Sequence, residues 1–386
     1  MFTHVLYALS FVNLMLLPRD PKDYLPRKSW IWALAAGALL LRLALSPGLA
    51  AVDETFQVCN IRSLASGATG FTGSLDGVMP WHPTFYMLAA PLVRSLGALG
   101  AARAVNLLLG SLSVYLAYEI GRELGNEWSG WAGALFLALL PVHVRFSNTA
   151  VLGISSVFFF LLAYWLQLKR SGAFLPALSL FVLIRPESYI LASLFAAASA
   201  REINESQVTW KKLLFAAVVV LCAVNSVQYG KNDVNWSTSL ANPGQFLKRL
   251  PHNASFFFDP AMSLPLVTLA ALTQLKRKRK LALLFAASFT IFTSYWYAWF
   301  AVGCGPSRYS LFPSAVLTVM AAPLFDSRKR FLLALLAVSS FPLAAGSVAC
   351  RSELTEASDI IREDSFVQSS QLPLVSELHS LMEIHF

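Results

Sequence analysis

The chain contains 386 residues, of which 56% are hydrophobic and only 13% are charged. This composition excludes a soluble globular protein of that length and predicts an integral membrane protein. The net charge of +9 comes from short basic clusters between apolar runs, which is typical of the cytoplasmic loops of membrane proteins. We therefore predict no nucleic-acid partner. These clusters lie at residues 169–170, 211–212, 276–280 and 328–330.

Apolar stretches of roughly the 20 residues that a helix needs to cross a membrane recur along the chain. They predict an all-α transmembrane helix bundle of about 11 spans in one domain, residues 1–349, followed by a short extracytoplasmic tail, residues 350–386. The first confident span, residues 30–49, follows a basic stretch that places its start in the cytoplasm. Residues 4–18 form either a short span or an interfacial helix. Single further spans are predicted at residues 101–121, 129–146, 150–168, 213–228, 261–275, 281–301, 308–325 and 331–349.

Residues 50–84 form the predicted active-site loop on the extracytoplasmic side of the membrane. The adjacent acids Asp53 and Glu54 open this loop, and His82 closes it just before an apolar interfacial segment at residues 85–96. A carboxylate at the interface could remove the proton of a hydroxyl group if partial burial tunes its pKa. The alternatives are a solvated turn for the two acids and a plain interfacial anchor for His82.

Residues 174–184 and 188–200 are each too short for a comfortable membrane crossing, and Arg185, Pro186 and Glu187 join them. A helix of about 11 residues rises about 16 Å, so Arg185 and Glu187 are predicted at membrane depth. Ionisable side chains are costly there and usually face a partner or a water-filled cavity. We predict a polar pocket at this apex, and a mutual salt bridge that closes the turn is the alternative.

Arg308 and Tyr309 begin an apolar span directly after a turn that contains glycine and proline. An arginine at the outer end of a span is suited to bind a lipid-linked phosphate, although contact with ordinary lipid headgroups explains its position as well. The same two alternatives hold for His143 and Arg145, which lie at the outer end of another predicted span.

Five segments follow one another in a defined order: residues 52–56 (Val-Asp-Glu-Thr-Phe), 82–86 (His-Pro-Thr-Phe-Tyr), 102–108, 185–187 and 308–313. This order resembles the GT-C superfamily of polytopic glycosyltransferases, especially the branch of protein O-mannosyltransferases and the lipid A aminoarabinose transferase. The resemblance implies transfer of a sugar from a polyprenyl-phosphate donor to a lipid, polysaccharide or protein acceptor, with inversion. It implies a bundle among membrane lipids of a bacterial or archaeal cell membrane, with the eukaryotic ER membrane as the alternative.

By this resemblance Asp53 is the catalytic base, and Arg308 contacts the donor phosphate on the extracytoplasmic or lumenal face. Several relatives carry a second acid at the start of the span that here begins at Asn148, and none is present in this chain. No metal ligand is therefore assigned, and a requirement for a divalent cation stays open. The side chains implied to bind donor or acceptor are Glu54, His82, Arg185, Glu187, Arg308 and Tyr309.

Two other functions compete with this interpretation. A transporter or flippase of lipid-linked saccharides would use the apex at residues 185–187 as its gate. Such proteins usually contain paired halves with related broken helices, and the sequence shows one break. A non-catalytic membrane scaffold would leave unexplained why the polar residues group on one predicted side of the membrane.

Overall fold

The computed structural model describes residues 29–45, 53–67, 83–185, 187–206, 208–232, 243–260, 262–294 and 306–339. All regular structure in these ranges is helical, which confirms the predicted all-α fold class. Short 3₁₀ segments lie at Ala90–Leu92, Pro306–Ser310 and Ala322–Leu324. The α-helices are α1 (Trp30–Ala44), α2 (Asp53–Ala65), α3 (Pro83–Ala89), α4 (Val93–Leu124), α5 (Glu127–Ala138), α6 (Pro141–Ser147), α7 (Gly153–Leu168), α8 (Phe174–Val182), α9 (Ser188–Ala198), α10 (Ala200–Ser206), α11 (Thr209–Asn232), α12 (Pro243–Phe256), α13 (Pro265–Thr273), α14 (Arg279–Ser294), α15 (Leu311–Ala321) and α16 (Arg328–Val338).

Several predicted spans correspond to helices of the structure. The span predicted at residues 101–121 lies inside α4, and that at residues 150–168 corresponds to α7. Residues 174–184 and 188–200 contain α8 and α9 as two separate short helices. Within the described ranges, Pro83–Leu124 is long and apolar enough to cross a membrane, and the bent pair of α5 and α6 would make a second crossing. The number of about 11 crossings stays a prediction.

The first part of the predicted active-site loop is a helix. The α2 sequence contains no glycine or proline and begins with two acids, and negative charge stabilises the N-terminal end of a helix. The prediction of a loop over residues 50–84 is therefore wrong for Asp53–Ala65. Helix α3 begins at Pro83, a residue favoured at the first helical position because the N–H group there needs no helical partner.

Glycines allow α4 and α5 to pack with their backbones in contact. A Cβ atom on Gly121 of α4 would lie 2.5 Å from the carbonyl oxygen of Ser129. On the facing helix, a Cβ atom on Gly133 would lie 2.8 Å from the carbonyl oxygen of Ala117. Small residues permit this close approach of apolar helices, which gain stability from dispersion contacts along the interface.

An aromatic cluster holds α7, α8, α9 and α15 together in the core. The ring of Phe160 lies 4.9 Å from that of Phe312, 5.7 Å from that of Phe195 and 5.9 Å from that of Phe181, measured between centroids. Edge-on and tilted pairs at these separations add to the free energy gained by burying the rings. The cluster therefore fixes the two short helices on either side of the Arg185 apex.

The bundle has two distinguishable ends. At one end, which we call the site end, α1 and α8 finish, and α2, α7 and α15 begin. At the opposite end, which we call the basic end, α4 and α7 finish, and α5, α14 and α16 begin. Two contacts hold neighbouring turns together at the basic end. Lys278 Nζ donates to the carbonyl of Leu124 at 3.4 Å, and Asn126 Nδ2 donates to the carbonyl of Asp326 at 2.6 Å.

Large apolar side chains also cover parts of the outer surface. On α11, Leu213 is 66% exposed and Leu221 is 60% exposed, and on α1 Trp30 is 62% exposed. Exposed apolar surface of this extent is unfavourable in water and is typical of a face that contacts a membrane or a partner. The surface therefore agrees with the integral-membrane location predicted from composition.

Candidate active site

Glu54 lies in the first turn of α2 and is completely buried. Its Oε2 accepts a hydrogen bond from the backbone N–H of Ala150 at 2.8 Å, and Arg103 Nη2 lies 3.8 Å from the same oxygen. A buried carboxylate is tolerated when hydrogen bonds and a cation compensate for lost hydration, and both are present here. The alternative of a solvated turn is therefore wrong for Glu54.

Asp53 is the first residue of α2. The structure describes its helical backbone, and its side chain lies outside the described part of the molecule. Glu54 is hydrogen-bonded to Ala150 in the segment before α7. This hydrogen bond also holds the backbone of the neighbouring Asp53 at a defined place at the site end. The N-terminal end of a helix is also a favourable position for a carboxylate, since the helix dipole is positive there.

Asn106 of α4 fixes the chain segment that precedes α7. Its Nδ2 donates to the carbonyls of Thr149 and Val151 at 2.7 and 2.8 Å, and its Oδ1 accepts from Ser155 Oγ at 2.8 Å. The segment therefore presents the N–H of Ala150 to Glu54 from a rigid backbone. Asn106 belongs to the matching segment at residues 102–108, but the sequence reasoning assigned it no role. An amide in the apolar run of α4 was the available signal.

The start of α7 also brings the 308 segment close to this carboxylate. A Cβ atom on Gly153 would lie 2.7 Å from Leu311 Cδ2 and 3.8 Å from the carbonyl oxygen of Arg308. Gly153 lies only three positions after Ala150, the partner of Glu54. The two segments that the sequence analysis singled out, at residues 52–56 and 308–313, therefore meet around the same turn.

Arg185 and Glu187 form a bidentate ion pair across the apex between α8 and α9. Arg185 Nε donates to Glu187 Oε2, and Nη2 donates to Oε1, both at 3.1 Å. The guanidinium carbon also lies 5.2 Å from the ring centroid of Phe292 and 5.5 Å from that of Tyr309. The sequence analysis gave a mutual salt bridge as the alternative interpretation of this apex, and that salt bridge is present. Its arginine also packs against two aromatic rings.

Tyr309 contacts a second guanidinium group. The guanidinium carbon of Arg308 lies 4.6 Å from the Tyr309 ring centroid, and Arg308 Nη2 donates to the tyrosine oxygen at 2.9 Å. One buried ring thus brings together Arg185 and Arg308, which are more than one hundred residues apart. The sequence predicted each arginine as a candidate, but it gave no sign that they share a partner.

Arg42 was missed by the sequence analysis. This fully buried side chain donates from Nε to Ser147 Oγ at 3.0 Å and from Nη1 to the carbonyl of Ala38 at 2.8 Å. Its Nη2 contacts His143 Nδ1 at 2.8 Å and the carbonyl of Leu137 at 3.4 Å. These contacts cross the 59° bend between α5 and α6, where helical hydrogen bonds are interrupted. A lone arginine in an apolar span was the signal.

The remaining candidates differ in what the structure shows. His82 lies outside the described residues. His143 and Arg145 are buried, and Arg145 Nη1 contacts Met262 Sδ at 3.4 Å, so neither meets lipid headgroups as an exposed side chain. Among the described residues, no three His, Cys, Asp or Glu side chains are grouped closely enough to hold a metal ion. The divalent-cation requirement therefore stays untested.

No protein-family model and no curated protein sequence matches the chain. Solved structures are similar. The apo structure of ArnT from Cupriavidus metallidurans has a TM-score of 0.55 at 13% sequence identity, over 76% of this chain and 59% of that protein. The same ArnT bound to undecaprenyl phosphate has a TM-score of 0.53 at 14% identity, over 78% of this chain and 60% of that protein. The fold is similar to that of ArnT.

The chain spans about three fifths of the length of the ArnT structures that it matches. At this level of identity the likeness concerns the fold. It agrees with the helix-bundle fold expected from the sequence. The superfamily, the branch within it, the sugar and the roles of the single residues stay predictions.

Proposed function

We propose that the chain is a membrane glycosyltransferase that moves a sugar from a polyprenyl-phosphate donor to an acceptor, with inversion at the anomeric carbon. The observation that carries this proposal is the anchored carboxylate of Glu54 beside Asp53, in a fold similar to that of ArnT. One ArnT structure contains undecaprenyl phosphate, which supports a lipid-linked donor. The proposed acceptor is a lipid, polysaccharide or protein at the extracytoplasmic or lumenal face.

In the proposed reaction, an acceptor oxygen bonds to the anomeric carbon of the sugar while the bond between that carbon and the phosphate oxygen breaks. The acceptor proton passes to the Asp53 carboxylate, and the electron pair of the broken bond leaves with the polyprenyl phosphate. Phosphate is a competent leaving group. The protein therefore has to orient the hydroxyl group, remove its proton and stabilise the departing negative charge.

Glu54 has a positioning role in this proposal. Its carboxylate is buried and already engaged by the Ala150 N–H and the Arg103 guanidinium, so it fixes the first turn of α2. A base works efficiently only when it is held within hydrogen-bonding distance of the proton that it removes. In this proposal, the anchoring of α2 at the residue after Asp53 serves to hold the base in place.

The proposed phosphate contact is Arg308, supported by its neighbours. Tyr309 orients the Arg308 guanidinium through a ring contact and a hydrogen bond, and the same ring contacts Arg185. Guanidinium groups bind phosphate oxygens through paired hydrogen bonds. We assign Arg185, Glu187, Tyr309 and Arg308 to the donor end of the site. His82 is proposed to contact donor or acceptor at the end of the loop.

The test is sugar transfer by the full chain reconstituted in lipid vesicles, with radiolabelled polyprenyl-phosphate sugars and cell-envelope acceptors. Asp53→Asn is expected to lower the transfer rate by about 10²–10⁴, the contribution of a general base. Asp326→Asn is the matched control, because it makes the same chemical change at the basic end. Circular dichroism checks that both variants are folded.

Undiminished transfer by Asp53→Asn would remove this residue from the mechanism. Movement of the lipid-linked sugar across the bilayer, without transfer by the wild type to any acceptor, would favour the transporter. Repeating the assay with a chelator and then with added divalent cations tests the metal requirement separately.

A further inference from the structure

Within the described ranges, the basic end of the bundle contains cations with and without a carboxylate partner. Four of its basic side chains have such a partner, at N–O distances of 2.6, 2.5, 2.6 and 2.8 Å. Ion pairs of this kind cancel most of the field that each charge would otherwise produce at the surface. The four pairs are Arg122 with Glu119, Lys169 with Glu123, Lys280 with Glu202, and Arg330 with Asp326.

Lys276, Arg277 and Arg279 behave differently. All three side chains are exposed; Lys276 and Arg277 lie in the turn between α13 and α14, and Arg279 is the first residue of α14. Within the described ranges, no carboxylate lies at ion-pair distance from any of them. Lys278, between Arg277 and Arg279, points inward to the Leu124 carbonyl and ties the turn to the end of α4. The segment at residues 276–280 therefore presents three cations on an anchored backbone.

Exposed leucines flank these cations. Leu272, near the end of α13, and Leu275, in the turn itself, are each 36% exposed, and Leu283, in the second turn of α14, is 42% exposed. Apolar side chains on a helix surface next to unpaired cations match the two parts of a phospholipid, its acyl chains and its anionic headgroup. A soluble polyanion would gain nothing from the leucines.

We propose that the segment at residues 276–280, with the exposed side chains of Leu272, Leu275 and Leu283, is a binding site for an anionic phospholipid. The headgroup phosphate contacts Lys276, Arg277 and Arg279, and the acyl chains lie along Leu272, Leu275 and Leu283. Membrane topology alone requires basic residues somewhere in this loop. It does not require that they be unpaired, exposed and bordered by apolar side chains.

The test is lipid binding to the full chain in a neutral detergent, measured by native mass spectrometry. The probes are a short-chain phosphatidylglycerol and a phosphatidylcholine with the same acyl chains. The wild type is expected to prefer phosphatidylglycerol. The variant Arg277→Gln/Arg279→Gln is expected to lose about fivefold in phosphatidylglycerol affinity for each residue removed, or about 25-fold in total, with little change for phosphatidylcholine.

The matched control is Arg94→Gln/Lys248→Gln, which removes two exposed cations distant from this turn. Arg94 lies at the start of α4, and Lys248 lies next to Arg249, which contacts Thr293 and Ser294 at the far end of α14. The control is expected to keep the wild-type preference. A third variant, Leu272→Gln/Leu275→Gln, is expected to weaken the binding of both lipids.

Three results would overturn the proposal. The first is a wild type that does not distinguish the two lipids. The second is an equal loss in the turn variant and in the control, which would mean diffuse attraction to any surface cation. The third is a phosphatidylglycerol preference that added salt does not weaken, because exposed charges are screened at high ionic strength. All variants change exposed side chains, and unchanged thermal unfolding in detergent confirms that each one is folded.

Discussion

The two ends of the bundle hold their charges in different ways. At the site end, Arg42 and Glu54 are both completely buried, and their partners are mostly backbone groups and neutral side chains. At the basic end, Lys280 and Glu202 form an ion pair in which the side chains are 30% and 33% exposed. The charges of Arg42 and Glu54 at the site end are therefore removed from solvent, whereas solvent and salt still reach those of Lys280 and Glu202 at the basic end.

This difference bears on function because burying a charge is costly. Removing an ion from water has a free-energy penalty that partner contacts recover only in part, so a buried charge is weak evidence for a role in stability. A surface pair has no such penalty and contributes little either way. The buried groups surround the segments proposed to carry chemistry, where fixed charges in a water-poor site act most strongly on a reacting group.

The largest expected effect on stability follows from removing the Glu54 carboxylate. Glu54→Ala takes away the acceptor of the Ala150 N–H and the carboxylate next to Arg103, so we expect unfolding to become easier by about 3–5 kcal/mol. Glu123→Ala, at the partly exposed pair with Lys169, is expected to change stability by less than about 1 kcal/mol. Thermal unfolding in one detergent measures both, and equal effects would contradict the contrast between the two ends.

The largest expected effect on catalysis in this comparison follows from removing the Arg308 guanidinium. Arg308→Ala removes the proposed partner of the departing phosphate, so kcat should fall by about 10²–10³, as when one stabilising donor is lost from a transition state. Arg330→Ala makes the same change at the basic end and should leave kcat unaltered. Initial rates at several donor concentrations separate kcat from KM. A rise in KM with kcat unchanged would contradict the proposed role, because it would show that Arg308 contacts the donor equally in the ground state and in the transition state.

A smaller loss is expected from Arg42→Leu. The change leaves His143, Ser147 and the Leu137 carbonyl without a donor across the bend of α5 and α6, so we expect a loss of about 1–3 kcal/mol. Arg279→Leu, at the exposed start of α14 at the basic end, serves as the matched control and should not lower the unfolding temperature. If Arg42→Leu were as stable as the wild type, the network at the bend would contribute no net free energy.

Much of the fold could be predicted from the sequence because apolar runs and basic clusters are local patterns. The two short helices around Arg185 and the helix that contains residues 101–121 were found in this way. Helix α2 was missed, since the predicted outer position suggested a loop although its residues favour a helix. The number of crossings could not be fixed from apolar length, because several apolar helices of the structure are shorter than a full span.

The candidate site could be predicted only as separate residues. Asp53, Glu54 and Arg308 stood out as charged residues at the predicted outer ends of spans, and Arg185 stood out as an ionisable side chain at membrane depth. Their partners were not predictable. The hydrogen bond from Ala150 to Glu54 uses a backbone N–H group, which every residue except proline possesses. The identity of residue 150 therefore cannot reveal it. The contacts of Arg185 and Arg308 with the ring of Tyr309 also depend on tertiary packing, because the two arginines are far apart in the sequence.

The smallest expected effect is at the ion pair of Glu202 and Lys280, and its pH dependence tests whether the basic end is as exposed as its geometry indicates. The hydrogen bond from Lys280 lowers the pKa of Glu202, against a smaller opposing effect of burial. Since the folded pKa lies below the unfolded value, the contribution to stability is present above the ordinary glutamate pKa. It is lost as the pH falls through the lowered folded value.

Glu202→Gln should therefore cost at most about 1 kcal/mol at neutral pH, as for other exposed pairs, and nothing under acidic conditions where the wild-type carboxylate is also protonated. Thermal unfolding of both proteins at neutral and acidic pH measures this difference. Lys280→Gln should reproduce both the size and the pH dependence of the loss, because either substitution removes the same pair. A difference that persisted in acid would mean that Glu202 stabilises the fold through its shape or neutral hydrogen bonds and not through its charge.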